Sequence, residues 1–164
     1  MNHQRGAAAG ELRNLVHERL FRYLLDLEVQ KALRLQYCLS LICLTPDRLP
    51  GETEVSLTRR IAKMVVGRLR RTDIGATLSP GAVALMLIDA EPRYLAAIFS
   101  RTANSVDDGR WFVYGDQRVS VSAGASSYPQ TARTGNDLLR QARTLMSRAR
   151  REGGNRLYVP PLTA

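Results

Sequence analysis

Leu12, Leu15, Val16, Leu20, Tyr23, Leu24 and Leu27 recur every three or four positions, a spacing that predicts a helix over residues 11–35 with one apolar face. Tyr37-Cys38-Leu39-Ser40-Leu41-Ile42-Cys43-Leu44 breaks that period. It is a nearly continuous apolar run of strand length, expected of a strand covered on both sides, and Thr45-Pro46-Asp47 closes it. Pro46, Pro50 and Gly51 make the following stretch an irregular loop. Leu57, Ile61, Met64, Val65 and Leu69 return to helical spacing and predict a helix over 55–71, with Arg59, Arg60, Lys63, Arg68 and Arg70 off the apolar stripe. Strands are expected over 75–78 and 83–88, joined by the turn Ser79-Pro80-Gly81-Ala82. A helix over 91–105 carries Tyr94, Leu95, Ile98 and Phe99 on one face, and a strand pair over 111–114 and 118–125 surrounds Gly115-Asp116. Leu138, Leu139, Ala142, Leu145, Met146 and Ala149 point inward from a helix over 136–151, which stops at Gly153-Gly154 before a closing strand over 157–159. Helices interleaved with strands in this order imply an α/β or α+β sheet covered by helices.

Composition narrows the organisation. A chain of 164 residues with 45% hydrophobic content suits one core, placed over residues 11–160, with 1–10 as a disordered lead-in and 161–164 as a tail. No apolar run approaches the roughly 20 residues of a membrane-spanning helix, and Met1 to Gly10 holds no apolar h-region, so a cytoplasmic protein is expected. Cys38 and Cys43, an odd number of positions apart on one strand, face opposite ways and are expected as unbridged thiols without a metal site. The net charge of +9 comes almost wholly from arginine, since only Lys31 and Lys63 are lysines. Arginine forks suit phosphates and guanine edges. The basic residues are nevertheless spread over several helices with no interleaved aromatic platform or helix-turn-helix pattern, so no DNA or RNA partner is expected.

Several stretches together resemble a GGDEF domain, the nucleotidyl-cyclase-like fold of diguanylate cyclases. Leu15, Arg19 and Phe21 stand where that family has G-L-x-N-R-R-x-F. Val119-Ser120-Val121-Ser122-Ala123-Gly124-Ala125 is similar to T-V-S-I-G-V-A, Leu138-Leu139-Arg140-Gln141-Ala142 to L-L-x-x-A-D, and the stretch from Arg148 to Arg156 to A-K-x-x-G-R-N-R. The resemblance covers about residues 12–159 and implies a central mixed sheet covered by helices. It also implies that catalysis is lost. The signature falls at Ser79-Pro80-Gly81-Ala82-Val83, where Pro80 has no N–H and neither Gly81 nor Ala82 supplies a carboxylate. Thr45 stands where the resemblance places a metal-binding aspartate, so no catalytic residue, metal ligand or cofactor is expected. The loop that contacts guanine in the family is shorter here, and Asp47, Glu52 and Glu54 are read as solvated charges.

A second motif of the family keeps its register. Arg70-Arg71-Thr72-Asp73 matches the R-x-x-D that precedes the signature by five residues and binds cyclic di-GMP as an inhibitory site, and Arg101 falls where another arginine completes it. Arg70, Asp73 and Arg101, with Arg71 beside them, are the cyclic di-GMP-binding residues implied by this resemblance. An arginine fork donates to guanine O6 and N7 or to phosphate, and a carboxylate, expected to stay ionised between Arg70 and Arg71, accepts from guanine N1 and N2. Such sites take the ligand as an intercalated dimer, which ties surfaces together and implies a protein partner or a homodimer. About one R-x-x-D is expected by chance in a chain this rich in arginine, so a plain helix-end ion pair in a scaffold or dimerisation module is the alternative. Residual nucleotidyl cyclase activity is a third. His3 and His17 have no catalytic partners, Trp111 reads as a packing residue, and Arg150 replaces a phosphate-binding lysine on what reads as a solvated helix face. No sensory or membrane segment precedes the domain in this chain, which reads as a free-standing receptor or part of a longer protein.

Overall fold

The computed structural model describes residues 14–47, 54–108 and 119–162. Among these residues six strands form one mixed sheet: β1 (Leu15–His17), β2 (Leu39–Pro46), β3 (Ile74–Leu78), β4 (Ala82–Ile88), β5 (Val121–Tyr128) and β6 (Leu157–Tyr158), in the order β1-β3-β4-β2-β5-β6. Four α-helices cover it: α1 (Glu18–Leu35), α2 (Glu54–Val66), α3 (Leu95–Asp108) and α4 (Gly135–Arg151). β3 and β4 form an antiparallel hairpin, β2 pairs antiparallel with both β4 and β5, and the outermost strands β1 and β6 pair parallel.

β2 is buried along its whole length because both of its faces are covered. Ile42 and Leu44 join Leu57, Ile61, Val65 and Leu95 from α2 and α3, while Leu39, Leu41 and Cys43 join Phe21, Leu25, Leu138 and Ala142 from α1 and α4. The two-residue period of a strand thus divides its apolar run between two cores. Cys43 lies fully buried, and burial pushes its thiol up to about 12. Cys38 precedes the strand and donates to Asp89 Oδ1 at 3.8 Å; both thiols are free. Among the described residues no helix is long and apolar enough to cross a membrane.

Several boundaries differ from the periodicity reading. The helix expected from residue 11 begins at Glu18, because Leu15–His17 pair parallel with Gly75–Thr77 and the His17 Nδ1 accepts the Leu20 N–H at 3.2 Å as a helix cap. An apolar pair such as Leu15-Val16 satisfies either period, and the free edge of β3 decides it. α2 ends at Val66 rather than 71. Beyond Gly67 the chain tightens into shorter bonds, Arg68 N–H to Val65 O and Leu69 N–H to Val66 O, both at 3.1 Å. β5 runs Val121–Tyr128, three residues later than expected, and Pro92 opens a 3-10 turn before α3. The expected strand over 111–114, Trp111 and the turn at Gly115-Asp116 lie outside the described residues, as do Glu52 and the 1–10 lead-in.

Candidate functional site

The loosened end of α2 carries Arg68, Leu69 and Arg70 over one rim of the sheet, and a tight turn then enters β3. Asp73 closes that turn. Its N–H donates to Arg70 O at 3.0 Å, its Oδ2 accepts the Arg70 N–H at 3.2 Å, and its Oδ1 accepts the Ile88 N–H at the end of β4 at 3.0 Å. Asn14 adds a bond from Nδ2 to Arg70 O at 3.1 Å. One buried carboxylate therefore ties the α2–β3 connection to the neighbouring strand. Burial lifts the Asp73 carboxyl above its ordinary value, against the Ile88 N–H and the nearby Arg70 guanidinium, which favour the ionised form.

The Arg70 side chain behaves differently. It is 64% exposed against 3% for Asp73, and its Nε stands 3.7 Å from Asp73 Oδ2. This long pair leaves the guanidinium at the mouth of a cavity of about 720 Å³ between α2, β4 and α3. Val65, Leu69, Leu87 and Ile98 supply its apolar walls, and Arg68, Arg70, Arg101, Asp73, Thr102 and Asn104 its polar ones. Arg70, Asp73 and Arg101, 31 positions apart at the extremes, thus line one concavity. Arg71 is exposed but does not line it. Arg68, Thr102 and Asn104 are wall residues not singled out from the sequence. Arg68 left a trace there, since it lies off the apolar stripe of α2 two residues before Arg70. Thr102 left none, and its hydroxyl donates to Ile98 O at 2.9 Å within α3.

The hairpin turn between β3 and β4 borders a smaller cavity of about 280 Å³ with Glu18, Thr58 and Arg59. Its backbone is already engaged. Ser79 N–H donates to Glu18 Oε2 at 2.9 Å, Arg143 donates to Ser79 O at 2.7 Å, and Thr45 Oγ1 donates to Gly81 O at 2.8 Å. Burial pushes the Glu18 carboxyl up, but the Ser79 N–H and the Arg22 guanidinium together outweigh it and hold it below its ordinary value. A divalent cation does not fit this donor set: Thr45, Pro80, Gly81 and Ala82 supply no carboxylate, and Glu18 is held by Ser79 and Arg22. No cluster of three or more metal-binding side chains occurs among the described residues.

Asp47 is not a solvated loop charge. It accepts from Ser120 Oγ at 2.5 Å, Ser122 Oγ at 2.6 Å and the Asn155 N–H at 2.8 Å, joining the end of β2 to segments far along the chain. His17 caps α1, and Arg150 is half-buried on α4 rather than fully solvated.

No family profile matches the sequence, and no curated protein matches it. Solved structures do. The GGDEF domain of PA1120 (YfiN or TpbB) from Pseudomonas aeruginosa superposes with a TM-score of 0.78 at 21% identity, over 91% of this chain and 98% of that one. The GGDEF domain of DgcB from Caulobacter crescentus, solved in complex with c-di-GMP, gives 0.76 at 18% identity over 90% of each chain. The diguanylate cyclase SiaD from Pseudomonas aeruginosa, in complex with its activator SiaC, gives 0.72 at 16% identity over 94% of this chain and 65% of that one. With its six-stranded mixed sheet and four flanking helices, the chain has the fold of a GGDEF domain.

Proposed function

We propose that this chain is a catalytically inactive GGDEF-like domain that binds cyclic di-GMP in the cavity between α2 and α3 and passes that binding to a protein partner. The observation that carries the reading is the meeting of Arg70 and Arg101, from separate elements, on one cavity of about 720 Å³ beside the buried Asp73. That volume lies within the roughly 300–1,000 Å³ of small-ligand sites. Guanidinium groups recognise phosphodiesters by paired, charge-assisted hydrogen bonds. Arg71, exposed on the adjoining turn, adds positive potential at the rim. Inactivity is supported by the turn Ser79-Pro80-Gly81, which offers no carboxylate and whose flanking polar groups are already engaged.

Isothermal titration with cyclic di-GMP tests the reading. Binding is expected, and Arg70→Ala and Arg101→Ala are each expected to weaken it by about tenfold or more, as loss of a charged hydrogen-bonding group implies. No heat at ligand concentrations of about 100 µM, or unchanged affinity in both variants, rejects it.

A second reading, a scaffold or dimerisation module with a vestigial R-x-x-D, is favoured by the exposed Leu20, Tyr23 and Leu27 on α1, which follow helical spacing on a face turned from the core. Light scattering separates the two: association that depends on cyclic di-GMP fits the receptor, and association indifferent to it fits the scaffold.

A further inference from the structure

Resting on the receptor reading, we infer that Arg68 is a third arginine that contacts the ligand in the cavity between α2 and α3, and that Arg71, although it lies inside the motif Arg70-Arg71-Thr72-Asp73, does not contact it. The end of α2 separates the two residues. Beyond Val65 the chain closes its bonds three residues apart, Arg68 N–H to Val65 O and Leu69 N–H to Val66 O, both at 3.1 Å. Side chains three apart eclipse in such a turn, so Arg68 stands over Val65, and both residues line the cavity. Arg71 is placed by a different bond. The Asp73 N–H donates to Arg70 O at 3.0 Å, which makes Arg71 and Thr72 the corner residues of a four-residue turn, and both are exposed outside the cavity wall.

The Arg68 guanidinium is also uncommitted. Among the described residues its side chain makes no ion pair and no hydrogen bond, whereas Arg70 Nε stands 3.7 Å from Asp73 Oδ2. Its donors therefore remain for an anion, and a phosphodiester accepts two of them in parallel. The charges on the wall agree with this. Without Arg68 the described wall residues carry two arginines, Arg70 and Arg101, against the one carboxylate of Asp73, an excess of a single positive charge. Arg68 raises that excess to two, equal to the charge of the two phosphodiesters in one cyclic dinucleotide.

Calorimetric titration of the wild-type chain, Arg68→Ala and Arg71→Ala with cyclic di-GMP is the test, because the two variants lose the same charge and differ only in where it stood. Arg68→Ala is expected to weaken binding by about tenfold or more, as loss of a charged hydrogen-bonding group does. Arg71→Ala is expected to weaken it by less than about threefold, since an exposed cation outside the wall acts only through a field that salt screens. A loss in Arg68→Ala no greater than that in Arg71→Ala overturns the inference and leaves the receptor reading standing. Absence of binding by the wild-type chain rejects both. Arg68→Lys gives a second measurement, because it keeps a cation on a long stem. It is expected to recover part of the affinity lost in Arg68→Ala, and no recovery shows that Arg68 acts through the backbone of the turn and overturns the contact.

Discussion

Asp73 is half of a four-residue motif in the sequence and a structural cap in the fold, and the difference lies in its burial. Asp73→Ala strips the acceptors from two backbone N–H groups, Arg70 and Ile88, and is expected to destabilise the domain by about 1–3 kcal/mol, read from urea unfolding midpoints. Arg70→Ala removes only an exposed partner 3.7 Å away and is expected to cost under about 1 kcal/mol. Arg70 and Arg101 are therefore the cleaner probes of ligand binding. Burial raises the native Asp73 carboxyl above its ordinary 3.8, so the native state holds this proton at a pH where the unfolded chain has released it. Stability from this group then falls as pH rises from 3.8 through the raised native value. Chemical unfolding across this range is expected to show the stability of wild type relative to Asp73→Asn growing on acidification; a difference that shrinks contradicts the assignment. Glu18, lowered by Ser79 and Arg22, runs the opposite way, its contribution being present above its ordinary 4.5 and lost as pH falls.

At the scale of elements, helical and strand periods found all four helices and the central strands, and erred where local preference met a neighbour. β1 exists because β3 has an open edge, and α2 stops early because Gly67 lets its last turn tighten. The contact between β5 and α4 leaves a trace in the sequence, in the small residues Ala123-Gly124-Ala125. A Cβ on Gly124 would stand 2.2 Å from both Ala142 O and Met146 N, backbone atoms that cannot turn aside as a side chain can. Gly124→Ala is therefore expected to cost at least about 1–3 kcal/mol, seen as a lowered midpoint in thermal unfolding. An unchanged midpoint would show that α4 moves away freely.

At the scale of the whole molecule, the sheet order sets which groups meet. β2 and β4 pair with Leu44 opposite Val83, which carries Thr45 to the turn at Gly81. The two places where the resemblance expects acidic metal ligands thus converge in space with a hydroxyl and a proline-glycine turn between them. Incubation with GTP and magnesium or manganese is expected to yield no cyclic di-GMP, and product above a no-protein control would restore the enzyme reading. The same order puts the end of α2 beside α3, so that Arg68, Arg70 and Arg101 line one cavity.

The sequence by itself determined the four helices and the central strands as elements, the division of one buried strand between two cores, the absence of carboxylates in the Ser79 to Val83 stretch and the register of Arg70 and Asp73 before it. These follow from period, residue chemistry and spacing, all local properties. Only the tertiary structure decided that Asp73 turns inward while Arg70 turns outward, that Asp47 is bound by serines more than 70 positions away, and that Arg68 shares a wall with Arg101. Those outcomes depend on which donors another strand or helix brings within hydrogen-bond reach, and separation along the chain carries no record of that.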